Sequence, residues 1–354
     1  VVREKVGVRV AKGPKDLREI PRYFGSQVPR DYGAWDIEVV AEINNVPRLT
    51  REETRRVAEY FRESGADVID LGCTPGLPFP ALGDVVRELV SAGMRVSVDS
   101  FDAGEIRTAV AAGAELVLSV NSSNLDVIPD LAAAGARAVV VPDAGASLDS
   151  LDRTLAALDA AGVRYLIDPV IEPIGFGFMA SLERYAEVRR RYPDAEMMMG
   201  IGNITELTAA DSTGVNALLI AVCQELGIRT VLTTEVIPWA SGAVREVVIA
   251  RQLMHYAVRG RTLPKHIDDR LVTVKDPAIL AYSEEELRDL QRRITDPNFR
   301  IFTDREVITV LNRDRFVRGT DIQEIFSQLG VTEATHAFYL GKELAKAKLA
   351  ITLG

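Results

Sequence analysis

The sequence predicts an α/β protein: a (β/α)8 TIM barrel followed by a small C-terminal α/β appendage. Three observations predict it. First, a helix-ending glycine followed by a short run of Val, Ile and Leu recurs along the chain. It reads SGADVIDLG from Ser64, AGMRVSVDS from Ala92, AGAELVLSV from Ala112, AGARAVVVP from Ala134, AGVRYLIDP from Ala161 and LGIRTVLTT from Leu226. Second, the glycines recur about 20–30 residues apart, one βα unit each, except across the longer gap from Gly162 to Gly227. Third, no Gly-rich fingerprint follows the first strand, as an open doubly wound sheet would usually require.

Each element has a local reason. The glycine takes the left-handed conformation that stops a helix. The apolar run after it is too short for a helix and reads as a strand buried on both faces. The predicted strands lie near 37–43, 67–72, 95–100, 115–120, 137–141, 164–168, 196–201 and 229–234. The first lacks the glycine because the chain enters there. The seventh, built on Glu196-Met197-Met198-Met199-Gly200, fills the long gap. Ala-rich helical stretches such as 50–64 and 148–161 separate them. Strict alternation of eight units closes a barrel.

The predicted domains are a lead-in over 1–36 with a short helix at 14–20, the barrel over 37–260, and a C-terminal subdomain over 261–354. That subdomain should hold a β-hairpin over 299–312 and helices over 321–329 and 332–349. The apolar stripe of Ala337, Leu340, Leu344, Ala347 and Ile351 is expected to pack the tail against the barrel.

Composition excludes several classes. A hydrophobic fraction of 47% over 354 residues is enough for a full core. Acidic residues outnumber basic ones 51 to 42, for a net charge of −9, which disfavours nucleic acid and anionic membranes as partners. Cys73 and Cys223 cannot form a disulfide framework, so a reducing, cytoplasmic setting is expected. No apolar run reaches the ~18 residues that span a bilayer, and the first residues do not read as a signal peptide.

Chemistry in such barrels lies at the C-terminal strand ends, which are polar here. They present Glu42, Asn44 and Asn45, then Asp70, Asp99, Asn121, Asp168, Asn203 and Glu235. Asn favours loops anyway. Carboxylates alternating with Val and Ile are harder to dismiss, because burying them without partners is costly. Asp70, Asp99 and Asp168 are therefore expected to line a polar pocket with Glu42, Asn44 and Glu235; the bland alternative is that they tie loops together.

No Lys occurs between Lys15 and Lys265, and His255 reads as a surface residue of the last barrel helix. Arg95, Arg137, Arg164 and Arg229 fall at strand starts, on the opposite face. That leaves Arg48 as the active-face cation, with Lys265 and His266 as further candidates from the tail. Such a mouth suits a ligand rich in N–H donors, a cationic ligand or an oxygen-ligated Mg²⁺. Motifs of the GxxxxGKS, HExxH and CxxC types are absent. Ser100 and Cys73 have no nearby His to activate them, and Cys73 reads as a packing residue.

The segments AEINNVP (41–47), GADVIDLG (65–72), VSVDSFDAGEIRTAVAAGAELV (96–117), LIDPVIEPIGFG (166–177) and MGIGNITELTAADSTGVNALL (199–219) resemble the pterin-binding barrel family. That family contains dihydropteroate synthases and methyltetrahydrofolate-dependent methyltransferases. The tail segment THAFYLGKELAKAKLAITLG (335–354) resembles the synthase-related proteins of tetrahydromethanopterin-using organisms. The resemblance implies pterin recognition by Asp99, Asn121, Asp168 and Asn203 and Mg²⁺ and diphosphate at Asn45; the cation census adds Arg48 for the phosphates. A carboxylate accepts the pterin 2-amino group and ring N–H together.

The chain departs from the synthases in three places. Their Ser-Arg-Lys element after strand seven is Gly202-Asn203-Ile204 here. Their Arg-x-His on strand eight is Leu232-Thr233-Thr234, and the Arg of the strand-two loop is missing from Cys73-Thr74-Pro75-Gly76. Asn203 instead resembles the methyltransferase Asn near pterin N5. Three functions stay open: a synthase joining a dihydropterin-6-ylmethyl diphosphate to an arylamine in tetrahydromethanopterin or folate-type biosynthesis, a methyltransferase using a methyl-tetrahydropterin with a corrinoid or thiol acceptor, and a non-catalytic pterin-binding protein. A homodimer is compatible with all three.

Overall fold

The computed structural model describes residues 32–145, 147–272, 282–304 and 307–353. The helix expected over 14–20 lies outside the described residues.

Eight parallel strands form the barrel: β1 Glu38–Ile43, β2 Val68–Gly72, β3 Val96–Asp99, β4 Leu116–Val120, β5 Arg137–Val140, β6 Tyr165–Ile167, β7 Met198–Gly200 and β8 Thr230–Thr234. They run in the order β6-β5-β4-β3-β2-β1-β8-β7. A parallel bridge between Ile167 and Met197 joins β6 to the start of β7 and closes the ring. The helices between them are α1 Arg51–Glu63, α2 Leu82–Ser91, α3 Ala103–Ala112, α4 Ile128–Ala134, α5 Asp149–Ala161, α6 Phe178–Arg191, α7 Gly202–Thr205, α8 Ser212–Leu226 and α9 Ala243–Gly260. Thr50 opens α1 with a reciprocal cap, its hydroxyl accepting from the Glu53 amide. Gly113, Gly135, Gly162 and Gly227 end α3, α4, α5 and α8 at positive φ, as their sequence positions predict.

Strand alternation sorts side chains between two cores. Val39, Ala41 and Ile43 of β1 face outward and pack in the main core with Leu82, Ile106, Leu131 and Leu151 from the helices. Val40 faces inward with Val68, Leu116, Leu118, Val139, Leu166 and Met198, a separate apolar layer that fills the barrel. Below this layer, Glu38 pairs with Arg95 at 2.5 Å and Arg137 at 3.1 Å, and Arg95 also pairs with Glu115. These ion pairs close the N-terminal end of the barrel. Above the layer lie the acids of the mouth.

Two expectations about cations are corrected here. His255 is buried, with Nε2 3.9 Å from Asp36, because α9 packs against α8, β8 and β1. On the same helix, buried Arg251 donates to the Ile37 carbonyl at 2.8 Å, pairs with Asp67 and lies 4.7 Å from the Trp35 ring centroid. Lys265 and His266 are no candidates for the mouth. The chain beyond α9 meets the segment that enters β1, where Tyr32 donates to Asp268 at 2.6 Å. That is the opposite end of the barrel.

The tail comprises α10 Glu284–Arg293, the antiparallel strands β9 Arg300–Thr303, β10 Ile308–Leu311 and β11 Phe316–Gly319, then α11 Ile322–Leu329 and α12 Ala334–Leu353. The expected hairpin and both helices are present. The third strand was not foreseen, because FVRG is too short to show alternation. The stripe on α12 is corrected: Leu340, Leu344 and Ala347 cluster with Ile308, Val310, Val317, Ile325 and Leu329, covering the tail's own sheet. Among the described residues no helix is long and apolar enough to cross a membrane.

Candidate functional site

Asp168 follows β6 and is 8% exposed. Its Oδ1 accepts from the Val170 amide at 2.8 Å and from the hydroxyl of Tyr185, a fully buried residue of α6. Its Oδ2 lies over Gly200, 3.8 Å from where a Cβ there would sit. Val170 has a φ of 67°, a conformation that costs a β-branched residue ~1–3 kcal/mol. Arg184, one residue before Tyr185, holds that turn by donating Nε to the Pro169 carbonyl at 2.7 Å and Nη2 to the Val170 carbonyl. Burial raises the Asp168 carboxyl to about 6, against the opposing pull of the Tyr185 hydroxyl, the Val170 amide and Arg184.

Asp99 is built in the same way. Its Oδ1 accepts from Ser119 Oγ at 2.8 Å, and Ser119 stands at a φ of 68° where the β4–β5 register shifts between Val117 and Val120. Among the described residues the non-glycine positive-φ positions are Asn45, Ser119, Val170, Arg261 and His266. The first three lie at the C-terminal strand ends, where the turns aim side chains at the mouth.

Asn121 directly follows β4. It is buried, and its Oδ1 already accepts from the Ser123 amide at 2.9 Å and hydroxyl at 2.7 Å. Asn203 opens α7; it is exposed, and its Nδ2 donates to the Ile171 carbonyl at 3.2 Å, tying the strand-seven loop to the Asp168 turn.

Glu42 and Asp70 face one another across β1 and β2, and Gly72 pairs with Asp99 across β2 and β3. Glu42 leans over Gly72, where a Cβ would lie 2.5 Å from its Oε1. Burial, then the charges of Asp99 and Glu206, raise Glu42 to about 8. Asp70 is fully buried; Ser97 Oγ donates to its Oδ1 at 2.6 Å, while Oδ2 has no partner among the described residues. Burial, Asp99 and Glu42 push it well above the ordinary carboxylate range. Burial also raises Asp99 and Glu206.

The other predicted residues fall at the rim. Asn44 Oδ1 accepts from the Thr234 hydroxyl, and exposed Asn45 accepts from Thr74 Oγ1 at 2.9 Å. Arg48 is exposed and makes no ion pair among the described residues. Glu235 is corrected: its oxygens accept from the amides of Gly242 at 2.8 Å and Val244 at 3.0 Å, so it caps α9 instead of serving as a pocket acceptor. No group of three or more His, Cys, Asp or Glu able to hold a metal occurs among the described residues. Asn45 and Thr74 present only neutral oxygens, which fits Mg²⁺ only as an ion arriving with a phosphate and keeping its waters.

Beside Asp99 opens a cleft of about 810 Å³ between the loop after β2 and the start of α3. Phe79 and Phe101 give it aromatic walls, with Ser100 and Glu105 as polar groups. Burial and Glu105 push the Cys73 thiol up, which agrees with a packing role and not a nucleophile. Sequence reasoning missed Arg184, Tyr185, Ser119 and Glu206. Only Ser119 carried a signal, a polar residue inside an otherwise apolar strand, LVLSV.

Fold and mouth together define a (β/α)8 barrel with carboxylates gathered at its C-terminal strand ends. The dihydropteroate synthase of Xanthomonas albilineans, solved with 7,8-dihydropteroate, superimposes with a TM-score of 0.51 at 22% identity, over 63% of this chain and 94% of that one. The Yersinia pestis synthase, solved in a sulfonamide drug complex, gives 0.51 at 16% identity, over 64% and 95%. At such identities the likeness is one of fold. No family model matches the chain. A relative does: the uncharacterized protein MJ0107 of Methanocaldococcus jannaschii is 31% identical over 363 residues, covering 90% of this chain and 68% of the relative. The chain belongs to the family of that archaeal protein.

Proposed function

We propose that the protein binds a pterin at the barrel mouth and acts as a dihydropteroate synthase-like transferase of the tetrahydromethanopterin-linked kind. It would join a dihydropterin-6-ylmethyl diphosphate to an arylamine. The observation that carries this is the pair of strand-end carboxylates, half-buried Asp99 and buried Asp168, each braced on one oxygen by a hydroxyl and set in place by a strained turn. Such a pair suits a heterocycle with adjacent N–H groups. The aromatic cleft beside Asp99 suits the arylamine.

In this reaction the amine nitrogen attacks the pterin methylene carbon. The C–O bond breaks with its electron pair leaving on diphosphate, and the nitrogen gives its proton to an ionised carboxylate. The chain's part is orientation and exclusion of water. Mg²⁺ carried by the diphosphate, near Asn45 and Thr74, would supply positive charge that Arg48 alone does not.

A methyltransferase is the second reading. It is favoured by Asn203, tied to the Asp168 turn at Ile171, and by the scarcity of cations at the mouth. Incubation with dihydropterin diphosphate and an arylamine, and separately with a methyl-tetrahydropterin and a cob(I)alamin acceptor, decides between them. Condensed product supports the synthase; methyl transfer supports the second reading; tight pterin binding with neither marks a binding protein. Asn45→Ala should weaken Mg²⁺-dependent binding of the diphosphate and leave a phosphate-free tetrahydropterin unaffected.

A further inference from the structure

Glu42 stands half-buried at the barrel mouth, beside fully buried Asp70. It alternates with inward-facing Val40 of the barrel's apolar layer, so its carboxyl lies directly above that layer. Asp70 faces it from β2, and beyond burial the charges of Asp99 on β3 and of Glu206 after α7 act on it. The chain makes room for it: only glycine at position 72 leaves the space that Oε1 fills. Carboxyls set on adjacent paired strands, with no cation among them in the described residues, cannot all ionise, so the group retains a proton near neutral pH. Asp70 adds an independent observation. It is fully buried and its Oδ2 lacks a donor among the described residues, so the group lacks a proton or a ligand donor at that point.

The hydroxyls of the mouth are already engaged. Ser97 donates to Asp70, Ser119 to Asp99, Tyr185 to Asp168 and Thr234 to Asn44. A mouth of ionised acids reads only N–H and O–H donors, whereas a pterin-like heterocycle carries acceptor nitrogens and a carbonyl beside its donors. We propose that Glu42 meets the ligand as a neutral carboxylic acid, donating a hydrogen bond to an acceptor atom of the same heterocycle whose N–H edge lies on Asp99 and Asp168. This rests on the pterin reading above and deepens it, adding a donor among strand-end carboxyls that otherwise only accept.

Two measurements on the full chain test this. Calorimetry with 6-hydroxymethyl-7,8-dihydropterin should show affinity falling about tenfold or more in the wild type as pH rises from about 6 to about 9.5. Glu42→Leu should bind about tenfold more weakly at neutral pH. Glu42→Gln keeps an N–H donor and should recover most of that loss while removing the pH dependence. The infrared difference spectrum between ligand-free wild type and Glu42→Gln should show a protonated-carboxyl band at neutral pH, any contribution of buried Asp70 being common to both. If pterin binds but the Leu and Gln variants bind it equally, or if the band is absent, the proposal is overturned. If the band is present and the wild type binds no pterin, the pterin reading fails while the neutral acid at Glu42 stands.

Discussion

Replacing Tyr185 with Phe removes one oxygen from a fully buried ring and isolates a single interaction, the hydroxyl that donates to Asp168 Oδ1. At about pH 7.5 Asp168, with its carboxyl at about 6, is ionised, so the bond is charge-assisted and its loss should destabilise the protein by about 1.5–3 kcal/mol. At about pH 5 the carboxyl is protonated, the bond is neutral, and the loss should shrink to about 1 kcal/mol. The sign follows from linkage. The hydroxyl favours the ionised form, so its removal moves the Asp168 carboxyl further above about 6 and weakens the fold most where that form prevails. Urea unfolding of wild type and Tyr185→Phe, followed by circular dichroism at both pH values, measures the difference. A loss under ~0.5 kcal/mol at the higher pH, or a larger loss at the lower one, would refute the assigned hydrogen bond and the charge on Asp168.

Glu42 should make its own mark on stability. Because its folded pKa is raised from 4.5 to about 8, its contribution is fully present below the lower value and is lost as pH rises through the upper, on the order of 5 kcal/mol. Urea midpoints of Glu42→Gln should therefore decline less than wild type over that window; parallel declines would contradict the raised pKa. Gly72→Ala should destabilise by about 1–3 kcal/mol, since its Cβ would fall 2.5 Å from Glu42 Oε1. The double variant with Glu42→Ala should recover most of that loss, and simple additivity would count against the contact. Glu246 is buried on α9 and accepts from Ser212 Oγ and Thr213 Oγ1 at 2.7 Å and from Asn216 Nδ2 at 2.8 Å, locking the start of α8. Glu246→Ala strands those donors and should destabilise by about 3 kcal/mol or more, read from the melting transition.

Much of the barrel was legible in the residues because its signals are local. A glycine that ends a helix, followed by a strand too short to be anything else, needs no distant partner, and repetition of that unit predicts closure. Asp99 and Asp168 were legible for the same reason: a carboxylate in or just after an apolar strand must find an environment that accepts it, and the strand end is the only one nearby. The tail helices were legible from their periodicity, but their target was not. An apolar stripe shows that α12 buries one face, and nothing local shows that it covers β9–β11.

What tertiary structure alone decided lies where separate units meet. His255 is buried because α9 closes against the first strand, a contact between the two ends of the barrel sequence. Glu235 became a helix cap because its loop returns to the amides of Gly242 and Val244. Ser119 and Val170 take positive φ because Asp99, Arg184 and Tyr185 hold their turns, a balance of strain and hydrogen bonds that residue type does not encode. Glu42 looked like one more acid at a strand end. Its raised pKa arises from burial and from Asp99 and Glu206, which lie on other βα units and meet β1 only in the folded barrel. A charge's environment depends on distances across the barrel, and those exist only once the chain has folded.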